Sequence, residues 1–246
     1  MVVIALKTRR FVLGTLDLEL EVVADPEALI TDPADEYQVP CWAEIWPAAV
    51  ALAEYLAGRD LEGRRVLELG CGLGLPGLVA ALKGAAVTFN DYHPEALEIV
   101  AVNARRLGVA SRVRFNAADW RSFDLAEEFD LILASDVMYD PRLNPHLLEI
   151  FRSNLAPGGE LLVSHPSRPD TFAALETLAG GSAWRHSSWT TTVEVENDPL
   201  FPRQTITLHR LGRGCPQFSR AGLPAGKSGA APAAGLLGLG AKHMLE

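Results

Sequence analysis

Lysine is scarce in this chain of 246 residues: four lysines stand beside eighteen arginines, and together they are outnumbered by 31 Asp and Glu, for a net charge of −9. That balance leaves no basic face to draw a nucleic-acid backbone, whose binding depends on clustered cations. The preference for Arg over Lys is what GC-rich coding produces and carries no functional weight. Only three cysteines occur, at 41, 71 and 215, an odd number without metal-ligand spacing. Reduced thiols in a cytoplasmic setting are therefore expected, and a bound metal is not. No uninterrupted apolar run reaches the roughly 18 residues of a membrane span. Met1 to Leu6 is mostly apolar, but Lys7, Arg9 and Arg10 follow it rather than precede it, the reverse of a secretory signal.

What is present is a core-forming composition, 48% hydrophobic, in a length that suits one large domain. Residues 66–78 read Val-Leu-Glu-Leu-Gly-Cys-Gly-Leu-Gly-Leu-Pro-Gly-Leu, a short apolar strand, a turn with alternate glycines, and an apolar helix. Glycines at 70, 72 and 74 allow positive φ and close approach of a ligand to the backbone. Two cofactors fit this turn. Glu68 ahead of the glycines gives Glu-x-Gly-x-Gly-x-Gly, while Gly72-Leu-Gly74-Leu-Pro-Gly77 also satisfies the dinucleotide fingerprint G-x-G-x-x-G. A second strand, 86–90, ends on Asp91, an acid placed either to accept ribose hydroxyls or to cap the following helix.

The pattern along the chain alternates strand and helix. Residues 11–23 alternate around Gly14-Thr15 as a β-hairpin. Helix 44–57 leads to strand 65–69, helix 75–83, strand 86–90, helix 94–107, strands 112–116 and 129–134, helix 142–155 and strand 159–165. A helix at 168–179 then precedes two alternating β runs, 184–195 and 203–211, separated by Glu196-Asn197-Asp198-Pro199. The expected fold is α/β: a Rossmann-like, doubly wound, seven-stranded and mostly parallel sheet closed by an antiparallel C-terminal strand, with an N-terminal β-hairpin. Three segments follow, namely a hairpin extension (1–43), a cofactor domain (44–212) and a Gly/Ala/Pro-rich flexible tail (213–246). The tail carries a net +3, which leaves −12 on residues 1–212 and favours cationic partners.

The turn with its leading acid resembles motif I of the S-adenosylmethionine-dependent methyltransferases. Further segments sharpen the likeness. Trp42-Ala43-Glu44-Ile45-Trp46-Pro47 opens a helix before the glycine turn, Asn116-Ala117-Ala118-Asp119-Trp120 follows the third strand, and Ser135-Asp136-Val137-Met138-Tyr139-Asp140 follows the fourth. With Asp136 and Tyr139 as Asp-x-x-Tyr, and Trp46-Pro47 as the helix start, the chain resembles the seven-β-strand protein-lysine methyltransferases. Within them it is similar to the group typified by the enzyme acting on electron-transfer flavoprotein. The likeness covers roughly residues 10–211 and is strongest over 42–140, while the segment Ser164-His165-Pro166-Ser167-Arg168-Pro169 departs from that group's pattern.

This resemblance implies methyl transfer from S-adenosylmethionine, with S-adenosylhomocysteine as product, to a nitrogen nucleophile, most simply a protein lysine. Asp136 would accept a hydrogen bond from the acceptor amine and Tyr139 would wall the same pocket. Cofactor contacts are implied at Trp46, Glu68, Gly70, Cys71, Gly72, Gly74, Asp91, Tyr92, Asp119, Trp120 and Ser135. Glu68 would orient the loop and complement the cationic end of the cofactor, and the Cys71 amide would face it. Asp119 and Trp120 each have a plainer reading, as turn cap and core filler. His165 at the end of the fifth strand is a weaker candidate for a general base. Rival readings are a small-molecule N- or O-methyltransferase, and an NAD(P)-binding protein.

Overall fold

The computed structural model describes residues 4–30, 39–180, 184–195 and 202–214. Its centre is β3 (Arg65–Leu69), whose apolar residues are buried on both faces, as a strand covered by helices on either side must be. Val66 points to one face of the sheet and Leu67 and Leu69 to the other, each into a separate hydrophobic cluster. Around β3 run β4 (Ala86–Asp91), β5 (Val113–Ala117), β6 (Phe129–Ser135) and β7 (Leu155–His165), all parallel. The pair β8 (Trp184–Glu194) and β9 (Arg203–Arg213) closes the sheet antiparallel, in the order β5-β4-β3-β6-β7-β9-β8. A seven-stranded, mostly parallel sheet closed by an antiparallel C-terminal strand was the expectation, and β9, between β7 and β8, is that strand.

Helices α1 (Pro47–Ala57), α2 (Leu75–Leu82) and α3 (Pro94–Arg106) pack on one face. Helices α4 (Asn144–Asn154) and α5 (Pro169–Ala179) cover the other. The chain winds outward from β3 through β4 to β5, then returns to β6 and winds the other way. Strands β3 and β6 are therefore neighbours at the topological switch point, where the loops beyond their carboxyl ends diverge and leave a crevice.

The N-terminal hairpin, β1 (Leu6–Leu13) and β2 (Leu16–Val23), turns at Gly14 with φ +59° and buries Phe11, Leu13, Leu18 and Leu20 in the cluster that also holds α1 and α3. Its hold on α3 is polar as well. The fully buried Asn103 accepts from the Glu21 amide at 2.7 Å and donates to the Glu21 carbonyl at 2.9 Å, and Arg106 pairs with the Glu21 carboxylate. The hairpin thus shares the core of the larger sheet.

Boundaries moved where backbone rules overrode pattern. Helix α1 begins at Pro47 rather than 44, because the residue before a proline is forced extended and Trp46 stands at ψ 151°. Strand β7 starts four residues earlier than expected, at Leu155, with Gly158 at φ +78° and a register shift between Phe129 and Leu131 absorbing the irregular stretch. The loop 196–199 lies outside the described residues, as does nearly all of the tail, from 215 onward. Among the described residues, no helix is long and apolar enough to cross a membrane.

Candidate functional site

The glycine turn leaves the end of β3 with φ of +56°, +50° and +72° at Gly70, Gly72 and Gly74, a sequence of left-handed residues that only glycine adopts without strain. Space is as restrictive as φ. A β-carbon on Gly70 would stand 2.8 Å from both Trp120 and Val137, and one on Gly72 would stand 2.9 Å from the Trp42 carbonyl oxygen. The turn is tied to the end of β4: the Gly72 amide donates to Asp91 Oδ2 at 2.8 Å, and the Cys71 amide donates to the Asn90 carbonyl at 2.9 Å. The Cys71 N–H is consumed inside the protein and does not face a ligand, which corrects that expectation. Burial of Cys71 also pushes its thiol well above the ordinary range, away from nucleophilic use.

Glu68 also differs from expectation. It is 1% exposed and lies beneath α2, where Oε2 accepts the Gly77 amide at 2.9 Å and Oε1 has no hydrogen-bond partner. Burial pushes its pKa up to about 8, with the Asp91 charge adding in the same direction and the Gly77 bond opposing it. Glu68 therefore holds the first turn of α2 through Gly77, and, buried beneath that helix with its pKa raised, it is not placed to offer a charge to the cationic end of a cofactor. The pH consequence has a definite sign. A folded pKa raised above the unfolded value near 4.5 gives stability that is present below pH 4.5 and lost as the pH rises towards 8. Glu68→Gln keeps an acceptor for Gly77 and removes the ionisation. Thermal melts between pH 6 and 9 are expected to show a falling Tm in the parent and a flatter profile in the variant, and parallel profiles would refute the assignment.

Asp91 is 6% exposed, with burial raising its pKa and the His93 and Gly72 amides opposing that rise. Its Oδ1 accepts the His93 amide at 2.9 Å, a local Asx turn leading into α3, whose N-cap is His93 itself. Each carboxylate oxygen thus carries one N–H and keeps a lone-pair site for a ligand hydroxyl. Tyr92 is 65% exposed beside it, edge-on to His93.

Trp120 is placed as the plainer reading has it, as a core filler. Its ring packs into the α4–α5 cluster and lies against Gly70, while Nε1 donates to Asn90 Oδ1 at 2.9 Å. Asp119 is a cap: its side chain accepts the Arg121 amide at 2.8 Å and pairs with the Arg121 guanidinium, which lowers its pKa. Trp46 is half-buried and its Nε1 donates to the Cys41 carbonyl at 2.8 Å, fixing the loop ahead of α1. Ser135 is the half-buried last residue of β6, in register with Ser164.

Beyond Ser135 the chain turns sharply. Asp136 has φ +52°, and among the described residues the only other non-glycine residue with positive φ is Ser167, also at +52°. Such conformations cost on the order of 1–3 kcal/mol each and concentrate at functional sites. These two residues flank one interaction: Arg168 Nε reaches Asp136 Oδ1 at 2.6 Å and Nη2 reaches Oδ2 at 3.0 Å. Tyr139 is 52% exposed, and Asp91, Asp136, Asp140 and Cys41 all act electrostatically on its hydroxyl; burial is the main cause of its raised pKa. Val137, next to Asp136, touches Gly70, so the two halves adjoin.

His165 is not placed to act as a base. It is 1% exposed, its Nδ1 accepts the Arg168 amide at 2.8 Å, its Nε2 bonds His209, and burial lowers its pKa to about 4. Sequence reasoning missed three parts of the site: Asn90, whose amide donates to the Asn116 and Ala118 carbonyls and joins the ends of β4 and β5; Arg168; and the contact of His165 with His209. The position of Asn90, just before Asp91, was the one available signal.

Comparison with known proteins bears on this arrangement. The family described as lysine methyltransferase matches residues 29–174. The protein N-lysine methyltransferase METTL21A of Danio rerio is 42% identical over 115 residues, 44% of this chain and 52% of that protein. EEF1A lysine methyltransferase 3 of Mus musculus is 32% identical over 133 residues, 52% of this chain and 57% of that protein. The histidine protein methyltransferase 1 homolog of Dictyostelium discoideum is 33% identical over 127 residues, 48% of this chain and 40% of that protein. The chain thus spans about half the length of the curated relatives it matches. Among solved structures, P. horikoshii TYW2 in complex with MeSAdo aligns at a TM-score of 0.55 with 16% identity, covering 85% of this chain and 72% of that one. The N-methyltransferase NodS from Bradyrhizobium japonicum, in complex with S-adenosyl-L-homocysteine, aligns at 0.51 with 20% identity, covering 77% and 92%. These likenesses are of fold, and the family match covers more than half of the sequence: this chain belongs to the lysine methyltransferase family.

Proposed function

We propose that this protein transfers a methyl group from S-adenosylmethionine to the side-chain amine of a lysine in another protein. The observation that carries the reading is the adjacency, at one switch point, of two half-sites: the glycine turn hung on Asp91, and the Asp136–Tyr139 loop that meets it through Val137. The cradle suits the cofactor. Its backbone is bent away by three left-handed glycines, and Asp91 keeps lone pairs at the depth where ribose hydroxyls would lie. Tyr92, Trp120 and Trp46 are assigned to the border of the nucleoside, a reading supported by the exposed Tyr92 next to Asp91 and by Trp120 against Gly70. When bound, S-adenosylmethionine supplies an electrophilic methyl carbon: the amine lone pair forms the N–C bond, the S–C bond breaks, and its electron pair stays on sulfur.

What this chain's residues contribute is position and protonation. A free lysine has a pKa of about 10.4, so the site must receive or generate the neutral amine. Asp136 is the acceptor for one amine N–H, which aims the nitrogen lone pair, and the Tyr139 ring walls the pocket. The proton left on nitrogen after transfer departs to solvent. A cytoplasmic setting is supported by Cys41 and Cys71, both free thiols. A protein acceptor is supported by what the named relatives act on.

Calorimetric titration with S-adenosylmethionine, S-adenosylhomocysteine, NAD and NADP tests the cofactor, and radiolabelled methyl incorporation in lysate tests the acceptor. Binding of the first two alone with label in protein bands is expected. Nicotinamide binding alone would end the reading, and label confined to small molecules would transfer it to metabolites. Loss of a charge-assisted hydrogen bond is worth about 1.5–3 kcal/mol, so Asp91→Ala is expected to weaken S-adenosylmethionine binding by roughly ten- to a hundredfold. An unchanged Kd in a variant with a parental melting profile would remove Asp91 from the ribose role.

A further inference from the structure

We infer that Arg168 is a positioning residue for the acceptor nitrogen: it fixes the Asp136 carboxylate in a two-point pairing and, through its permanent charge, admits the neutral amine in preference to the ammonium. This rests on the methyl-transfer reading above.

The pairing is unusually well built. Both carboxylate oxygens are engaged, the Asp136 side chain is 8% exposed and that of Arg168 38%, so the guanidinium extends from the buried acid towards the space before it. The parallel two-bond geometry is one that a lysine could not reproduce in full. Backbone on both sides is held at positive φ to bring the two groups together. Arg168 is also fixed from behind. Its amide donates to His165 Nδ1, which makes that nitrogen an acceptor and leaves the proton of neutral His165 on Nε2. That proton points to His209 Nε2 at 2.9 Å, so His209 carries its own proton on Nδ1 and donates to His186 Nε2 at 2.8 Å. Both ring-to-ring hydrogen bonds keep a donor facing an acceptor in this order while all three rings are neutral. Burial holds His165 and His209 neutral, and Phe172 lies edge-on to both.

The charges around the pair decide what it can receive. The titratable groups that act electrostatically on the pair are Cys41 from the loop before α1, Tyr139 after β6 and His165 from β7; Glu44 acts on Cys41, and Asp91 and Asp140 on Tyr139. Asp140 is matched by Arg142, and Asp91 accepts two backbone amides and is the carboxylate assigned to the ribose. With Arg168 on Asp136, an arriving ammonium meets a like charge and no free carboxylate. A neutral amine can donate one N–H to a remaining lone pair of Asp136 while its own lone pair stays available. Remove the guanidinium and the seat becomes a bare carboxylate that holds the ammonium, the unreactive form.

Arg168→Met and Arg168→Lys test this, each first checked for a cooperative melt. In the parent, n-butylammonium at pH 7 is expected to bind weakly by calorimetry. Arg168→Met should bind it at least tenfold more tightly, and Arg168→Lys should stay near the parent. For transfer into lysate protein, the rising limb of the pH–rate profile should move up by a unit or more in Arg168→Met, so that the rate lost at pH 7.5 is recovered above pH 9; Arg168→Lys should keep the parental limb. Equal amine binding in parent and Met variant, or a rate lowered equally at every pH, would overturn the proposal. A parent that methylates no protein would overturn the functional reading instead, and the amine titration would still decide the role of Arg168.

Discussion

Gly77→Ala is expected to destabilise the protein by about 3 kcal/mol or more, the upper end of what overpacking a full core costs. A β-carbon there would stand 2.4 Å from Glu68 Oε2 and 2.4 Å from Phe89 Cε1, and both side chains are fully buried with nowhere to move. Relieving the clash means withdrawing Glu68, which breaks its bond to the Gly77 amide and leaves a second carboxyl oxygen unpartnered beside Oε1. For a chain of this size the loss corresponds to a fall in Tm of roughly 6–12 °C, readable by calorimetry. A fall below 2 °C would mean that α2 can lift off β3 at little cost. The argument also explains the dinucleotide-like spacing from Gly72 to Gly77. The last glycine is required by the acid beneath it, so the spacing follows from the packing of α2 on β3 and does not of itself specify NAD(P).

Much of the fold could be read from residues because the strands are short, apolar and separated by proline-started helices: α1, α2, α3, α4 and α5 all carry proline in their first turn. Asp91 followed from its position at the end of β4, whereas the Trp46-Pro47 start and Asp136 just beyond β6 came with the resemblance to the lysine methyltransferases. The fate of Glu68 was readable in principle. Side chains alternate along β3, so Glu68 shares a face with Val66, and both faces of a central parallel strand are covered. Asp119 and Asp140 each precede an arginine by two residues, and each forms a pair with it, a local signal that weakens any ligand role for the two acids. The column from His165 through His209 to His186 was not readable. It joins positions 44 and 23 residues apart, and depends on the register of β7 with β9 and of β9 with β8. Arg168 was hidden for a related reason, since its partner lies 32 residues earlier on another strand end.

The acceptor half of the site makes the last and sharpest demand. Asp136→Asn is expected to lower methyl transfer by at least about ten- to a hundredfold, the loss of one charge-assisted hydrogen bond in the transition state. S-adenosylmethionine binding should remain within twofold of the parent. Asparagine is the informative replacement because Asp136 sits at φ +52°, which Asn tolerates and Ala resists. An alanine variant would add backbone strain to lost chemistry and blur the two. The Asn variant keeps the turn and an oxygen for the Arg168 guanidinium, yet leaves that cation without its countercharge 2.6 Å away. Its effect on rate is that of losing the amine contact, because the form that the uncompensated guanidinium repels, the ammonium, does not react. Because the lost contact is one made to the neutral amine, the variant should be poor at every pH, unlike Arg168→Met, whose rate returns in alkali. Transfer by Asp136→Asn equal to the parent would remove this carboxylate from the mechanism and leave its pairing with Arg168 a matter of loop structure.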